Sequence, residues 1–229
     1  MYFTRKHFFI VTFFLLSIKA YSQTPAYRWE PGFSISKRLT NKWQANGQFK
    51  ARIRANDYGD QQWNPKLLMI DARGYLTYTL FNQSKLTIGY LTRTNNPLEE
   101  DSNEKRIIEQ YAFFSQINKY RYTHKITLEQ RMREINYIGR LRYALSFDFP
   151  LNGEKLDKQE MYFYSKVGML YSFNSYTQGL ENRAALGIGR MLKSGHRFQL
   201  DLESRLSGLL NWNDRSLALQ FNTVYYISY

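Results

Sequence analysis

Two consecutive segments, Arg121–Arg133 and Arg140–Phe149, alternate in polarity almost without a break, and this restricts the fold more than any other feature. In the first, Arg121, Thr123, Lys125, Thr127, Glu129, Arg131 and Arg133 share one face. Tyr122, His124, Ile126, Leu128, Gln130 and Met132 share the other. In the second, Arg140, Arg142, Ala144, Ser146 and Asp148 oppose Leu141, Tyr143, Leu145, Phe147 and Phe149. A period of two belongs to a strand whose side chains point to opposite surfaces. The polar face carries charges of both signs at nearly every second position, as inside an ion-paired or water-filled barrel. Its apolar face would then meet lipid.

The same alternation continues along the chain, and no segment shows a convincing helical period. Strands are expected at Tyr27–Lys37, Lys42–Arg54, Ile70–Leu80, Lys85–Thr94, Lys105–Asn118, Arg121–Arg133 and Ile138–Phe149. Four more follow at Glu160–Phe173, Glu181–Leu192, Arg197–Ser207 and Arg215–Tyr229. Single-chain bacterial barrels normally have an even number of strands. Pro31 and Gly32 interrupt the first segment, so the count is set at 10–12. Mean hydropathy is −0.55, which leaves no room for a bundle of membrane helices but is compatible with a barrel, where only alternate residues face lipid. Aromatic residues make up 17% of the 229 residues, enough for interface girdles drawn from Trp29, Trp43, Tyr75, Tyr90, Tyr137, Tyr143, Trp212 and Tyr225. The expected fold is therefore all-β: an up-and-down antiparallel transmembrane β-barrel.

The first 22 residues read as a signal peptide. Arg5 and Lys6 precede the apolar run Phe8–Ile18, and Ala20-Tyr21-Ser22 supplies the small residues of a cleavage site. A single barrel domain would then occupy 23–229. The chain has no Cys, which removes disulfides and thiolate metal sites. The formal charge is +13, and losing Arg5, Lys6 and Lys19 with the leader leaves +10. For an exported chain, that basic balance points to anionic lipid headgroups or acidic solutes rather than nucleic acid. Connections near residues 40, 82, 119 and 194 read as short, and 55–65, 95–104 and 174–180 as longer. This is the loop asymmetry of outer-membrane barrels. The last strand places Leu217, Leu219, Phe221, Tyr225, Ile227 and Tyr229 on one face, with Thr223 the exception. Tyr225, Ile227 and Tyr229 in that arrangement resemble the C-terminal assembly signal that the barrel-assembly machinery reads in outer-membrane barrels.

Glu104-Lys105-Arg106 with Gln110, Leu128-Glu129-Gln130-Arg131 and Arg140-Leu141-Arg142-Tyr143 carry a resemblance, extended by Glu181-Asn182-Arg183 and the aromatic terminal strand. Together they are similar to an uncharacterised domain-of-unknown-function family of Gram-negative exported proteins, predicted to be outer-membrane β-barrels. The resemblance implies a barrel in the cell outer membrane. It implies no activity.

With the polar face inward, Arg106, Lys125, Glu129, Arg131, Arg140, Arg142 and Asp148 would line one sector of a lumen. Lys166, Arg183, Asp201, Glu203 and Arg205 would line the next. Two readings follow. The charges pair across strands and fill a narrow structural barrel, or they form a basic channel for small anionic solutes. A soluble periplasmic or surface barrel binding an acidic or amphipathic ligand would instead turn Leu141, Leu145, Phe147, Leu200 and Leu202 inward. An outer-membrane lipid hydrolase is the enzymatic alternative, with His124 and Ser115 on matching apolar faces, but the chain carries no G-x-S-x-G turn. Gly187-Ile188-Gly189-Arg190 lies inside an alternating segment and reads as strand glycines rather than a nucleotide loop. No catalytic residue, metal or cofactor is assigned.

Overall fold

The computed structural model describes residues 25–56, 63–81, 83–99, 103–133 and 136–229. The expected leader over 1–22 lies outside these residues.

Eleven strands follow one another: β1 (Ala26–Arg38), β2 (Trp43–Arg54), β3 (Lys66–Phe81), β4 (Ser84–Asn95), β5 (Glu104–Ile117) and β6 (Tyr120–Met132). Then come β7 (Tyr137–Pro150), β8 (Met161–Phe173), β9 (Gln178–Met191), β10 (Arg197–Ser207) and β11 (Ser216–Ser228), with one 3-10 turn at Trp212–Asp214 before the last strand. Each strand pairs antiparallel with the next, and the sheet closes on itself. The tightest connections have turn chemistry: Asn118, between β5 and β6, takes a φ of 54°, a left-handed conformation that asparagine tolerates.

The closure corrects the expected all-antiparallel pattern. In a meander, odd-numbered strands all run the same way, so β1 and β11 meet in parallel, from Ala26 opposite Ala218 to Ser36 opposite Ser228. The first segment is a complete barrel strand despite Pro31. Proline has no N–H to donate, and the β1–β2 ladder has no pairs at Glu30 and Pro31, but it resumes at Gly32 opposite Lys50 in the same register. The loop asymmetry also needs correction. The end that carries the short turns also carries the longer 151–160 connection, while 133–136 and 174–177 at the other end are brief.

The barrel is polar inside and apolar outside. Buried side chains include Glu30, Asp71, Glu104, Arg106, Glu129, Arg131, Glu203 and Arg205. The outer wall exposes an aliphatic belt that includes Ile88, Ile126, Leu141, Val167, Met169 and Leu202. Aromatic residues flank this belt near both strand ends. Tyr27, Trp29, Tyr137 and Phe173 are exposed at one end. Toward the other, Phe147 packs on Tyr120, Tyr122 and Phe149, with ring centroids 5.5, 5.1 and 5.3 Å away. Tyr75 departs from the expected girdle. It shares parity with Asp71 and Arg73, and its ring occupies the space that a side chain at Gly89 would fill. Gly189 likewise leaves room for the buried ring of Tyr162, whose hydroxyl donates to Gln199 at 2.8 Å. Close approach explains this strand glycine.

One carboxylate interrupts the belt. Glu109 lies on the outer face of β5, opposite Ile88 and Leu128, in a groove bordered by Trp43, Leu76 and Tyr111. In a bilayer a carboxylate at that place would be unfavourable, though less so than a lysine or arginine. Glu109→Leu is expected to raise unfolding free energy in lipid vesicles by about 1 kcal/mol. A loss of stability would instead identify a polar neighbour for this side chain.

Candidate functional site

The lumen charges concentrate in one half of the barrel, and the strand direction explains why. Arg28 and Glu30 begin β1, Asp71 and Arg73 lie in the first half of β3, Glu104 and Arg106 begin β5, Arg140 and Arg142 begin β7, and Glu181 and Arg183 begin β9. Lys50 and Arg52, Arg93, Glu129 and Arg131, and Glu203 and Arg205 fall toward the ends of β2, β4, β6 and β10. Antiparallel pairing brings these starts and ends to the same rim. The opposite half of the lumen face is smaller and less charged, with Ser34, Ala112, Ala144, Ser146, Ala185 and Gly187.

Within the charged belt Glu30, Asp71, Glu104, Glu129 and Glu203 are each shared among cations. Glu104 sits at the centre of the largest cluster and is fully buried. It accepts from Arg106 on its own strand and from Arg131 on β6, and from Arg133 at 2.8 Å. Arg106 also donates to Glu129 at 2.9 Å, and Glu129 lies 3.0 Å from Arg142 and 3.9 Å from Arg140. Asp71 holds Arg73 at 2.5 Å and Arg93 at 2.6 Å. Glu30 holds Lys50 at 3.1 Å and Arg52 at 2.6 Å, and Glu203 holds Lys166 and Arg205, each at 2.6 Å. Five strands repeat acid-x-Arg on the lumen face, and in four the two form an ion pair: Asp71 with Arg73, Glu104 with Arg106, Glu181 with Arg183, and Glu203 with Arg205. Positions two apart on a strand share a face, so each pair closes locally, and at Asp71 and Glu104 an arginine of the next strand, Arg93 or Arg131, bridges as well.

These groups surround a cavity of about 410 Å³. Arg106, Glu129, Arg131, Arg140, Arg142, Lys166, Arg183, Asp201, Glu203 and Arg205 all border it, so the two expected sectors form one continuous wall. Lys125 and Asp148 share the lumen face but lie nearer the opposite end, where Asp148 accepts two hydrogen bonds from Arg121 at 3.0 and 2.6 Å. Asp201 bonds neutral neighbours, Asn222 at 2.6 Å and Gln199 at 3.2 Å. The sequence reading left out the wall supplied by the early strands: Glu30, Lys50, Arg52, Asp71, Arg73, Arg93 and Glu104. Their alternation was visible, and the acid-x-Arg repeat was the signal that would have joined them to the rest.

On the outer face, a ring nitrogen of His124 lies 2.8 Å from the Tyr143 hydroxyl, while Ser115 stands opposite Tyr122. Tyr225 and Ile227 alternate along the outer side of β11, Tyr229 follows just past its end, and His196 packs against the rings of Tyr225 and Tyr229 at 6.0 and 6.3 Å. Among the described residues no three His, Asp or Glu side chains are grouped as a metal site requires.

Fold and lumen together define an uncharacterised β-barrel protein with an ion-paired, arginine-rich interior. The chain belongs to the family described as "Protein of unknown function (DUF2490)", whose pattern matches residues 31–206, from β1 into β10. No curated protein and no solved structure matches it.

Proposed function

We propose that this is a transmembrane barrel of the bacterial outer membrane, delivered by its N-terminal leader and inserted by the barrel-assembly machinery, with lipid against its outer wall. We further propose that its basic lumen holds or passes small anionic solutes, and no catalytic step is part of this reading. One observation carries it: an exposed aliphatic belt between aromatic rims surrounds an interior where cations outnumber carboxylates. A soluble monomer rarely exposes apolar patches above a few hundred Å², whereas a membrane barrel requires an outer surface of this kind. Inside, each carboxylate of the four largest clusters is shared by two or more cations, so the wall retains positive charge, and rings of Arg and Lys favour anions.

The test is reconstitution of residues 23–229 into a planar bilayer, with reversal potential recorded across a salt gradient. Discrete conductance with anion preference is expected. Arg142→Glu should reduce that preference, because Arg142 borders the cavity and keeps only part of Glu129 as its counter-charge. An unchanged reversal potential would remove Arg142 from the pathway. A folded chain that stays soluble without detergent and never inserts would overturn the membrane reading.

A further inference from the structure

Two arginines face one another across β9 and β10 with no carboxylate between them. Arg183 and Arg205 are direct cross-strand partners on the lumen face, and both border the cavity. Each is held by the acid two residues before it. Arg183 donates from Nε to Glu181 at 2.5 Å, and Arg205 from Nε to Glu203 at 2.6 Å. Because the strands are antiparallel, Glu181 lies on the rim side of the pair and Glu203 on the inner side. The terminal amino groups of both arginines make no hydrogen bond among the described residues, and neither arginine reaches a second carboxylate there. Gly168 stands opposite Arg183 on its other flank and Ala218 opposite Arg205, so the next position on either side is small. The barrel holds its own template for what this pair lacks. Arg106 and Arg131 are likewise direct partners, on β5 and β6, and Glu104 accepts from the Nε of both. Like charges directly opposite on neighbouring strands are destabilising, and there a carboxylate bridges them. At Arg183 and Arg205 the described residues supply no such bridge.

We propose that the Arg183–Arg205 pair binds the carboxylate of a small hydroxylated acid of the sugar-acid class. The proposal names the solute of the anionic lumen and rests on that reading. A guanidinium stays charged and presents a planar fork of donors that matches a carboxylate, so the two oxygens can each take bonds from one arginine. With Nε tied to its own acid, each side chain is already oriented before the ligand arrives, which lowers the cost of binding. Arg205 is only 8% exposed, so its bonds to the ligand form away from bulk water, where they are strongest. The cavity of about 410 Å³ lies within the range of about 300–1,000 Å³ for small-molecule sites. Beyond the pair, its wall continues through Asp201, Asn222, Tyr164 and Tyr226. These donors and acceptors suit hydroxyl groups rather than hydrocarbon, which selects a hydroxylated acid over a fatty one.

The experiment titrates the full chain, folded in detergent at low ionic strength, with gluconate in a calorimeter. Glucose and acetate serve as ligands that keep only the hydroxyls or only the charge. Gluconate should bind saturably, acetate about tenfold or more weakly, and glucose without measurable heat. Arg183→Lys and Arg205→Lys each keep the positive charge beside the neighbouring acid but lose the fork. Each should fold, and each should weaken gluconate about tenfold; if one fails to fold, the other carries the test. Arg93→Lys is the control. Arg93 borders the same cavity but already gives two hydrogen bonds to Asp71, at 2.6 and 2.9 Å, so its loss should leave affinity nearly unchanged. Unaltered gluconate affinity in the Arg183 and Arg205 variants overturns the site, and glucose or acetate binding as tightly as gluconate overturns the ligand class. Binding in detergent requires neither insertion nor an open pore, so the two readings fail separately. A chain that binds gluconate through the pair but never conducts supports the site and removes the passage. One that conducts anions without binding gluconate overturns the site and leaves the anionic lumen standing.

Discussion

Glu104→Gln is expected to lower unfolding free energy by about 3–5 kcal/mol, the cost of removing one partner from a buried charge cluster. The side chain is fully buried and accepts from three arginines. Glutamine keeps its shape but removes the charge that balances them. Arg106 retains Glu129 at 2.9 Å, and Arg133 is partly exposed. Most of the penalty therefore falls on Arg131, which has no other carboxylate contact among the described residues. A double variant, Glu104→Gln with Arg131→Met, should recover part of the loss, because it removes the orphaned guanidinium as well. Glu99→Gln is the control. Its pair with Lys66 is well exposed on both sides, and pairs of that kind contribute about 0–1 kcal/mol. Urea unfolding in detergent, followed by tryptophan fluorescence, measures all three. A Glu104→Gln effect no larger than the control would mean that water or mobile ions already neutralise these arginines.

Val167→Arg is expected to cost about 2–4 kcal/mol when unfolding is measured from lipid vesicles, the value for an arginine facing the middle of a bilayer. Val167 lies midway along β8, is 45% exposed on the outer wall, and stands opposite Leu145 and Ala184. The same substitution on a water-facing wall would change stability by about 0.5 kcal/mol or less. The result therefore separates the two environments this wall could meet. A cost near the smaller figure would place Val167 in water and overturn the bilayer assignment.

Much of the barrel was legible because alternation is a local property. The eleven expected segments correspond to the eleven strands, and the facing of Arg140, Arg142 and Asp148 against Leu141, Tyr143 and Phe147 follows from parity alone. Parity does not say which face is interior. Only closure does, by surrounding Glu104 and Arg131 while leaving Ile126 and Leu141 outside. Pairing across strands was equally hidden. Nothing local announces that Asp71 meets Arg93, or that Glu104 gathers Arg131 and Arg133, because register depends on turns and bulges such as the shift between Arg52 and Ile53. Tyr75 was misread for a related reason: residue type suggested a girdle, whereas its parity with Arg73 puts it inside.

The parallel seam between β1 and β11 makes the order of assembly asymmetric. Every other strand pair is closed by a connection between neighbours in the sequence, but the seam joins Ala26 to Ala218, almost the whole length of the chain. The entropy of closing so large a loop delays its formation, so the curled sheet exists first with two free edges. One edge is β11 and the other is β1, and the groups of β1 that face the seam belong to its even-numbered residues: Arg38 donates to Tyr229, and Ser36 accepts from it. Pro31 is out of phase with these and faces β2, so the free edge of β1 keeps its full row of donors. Such an edge invites pairing with a second molecule until β11 occupies it. The last strand to form therefore does more than complete the wall: it covers the one template the proline does not blunt.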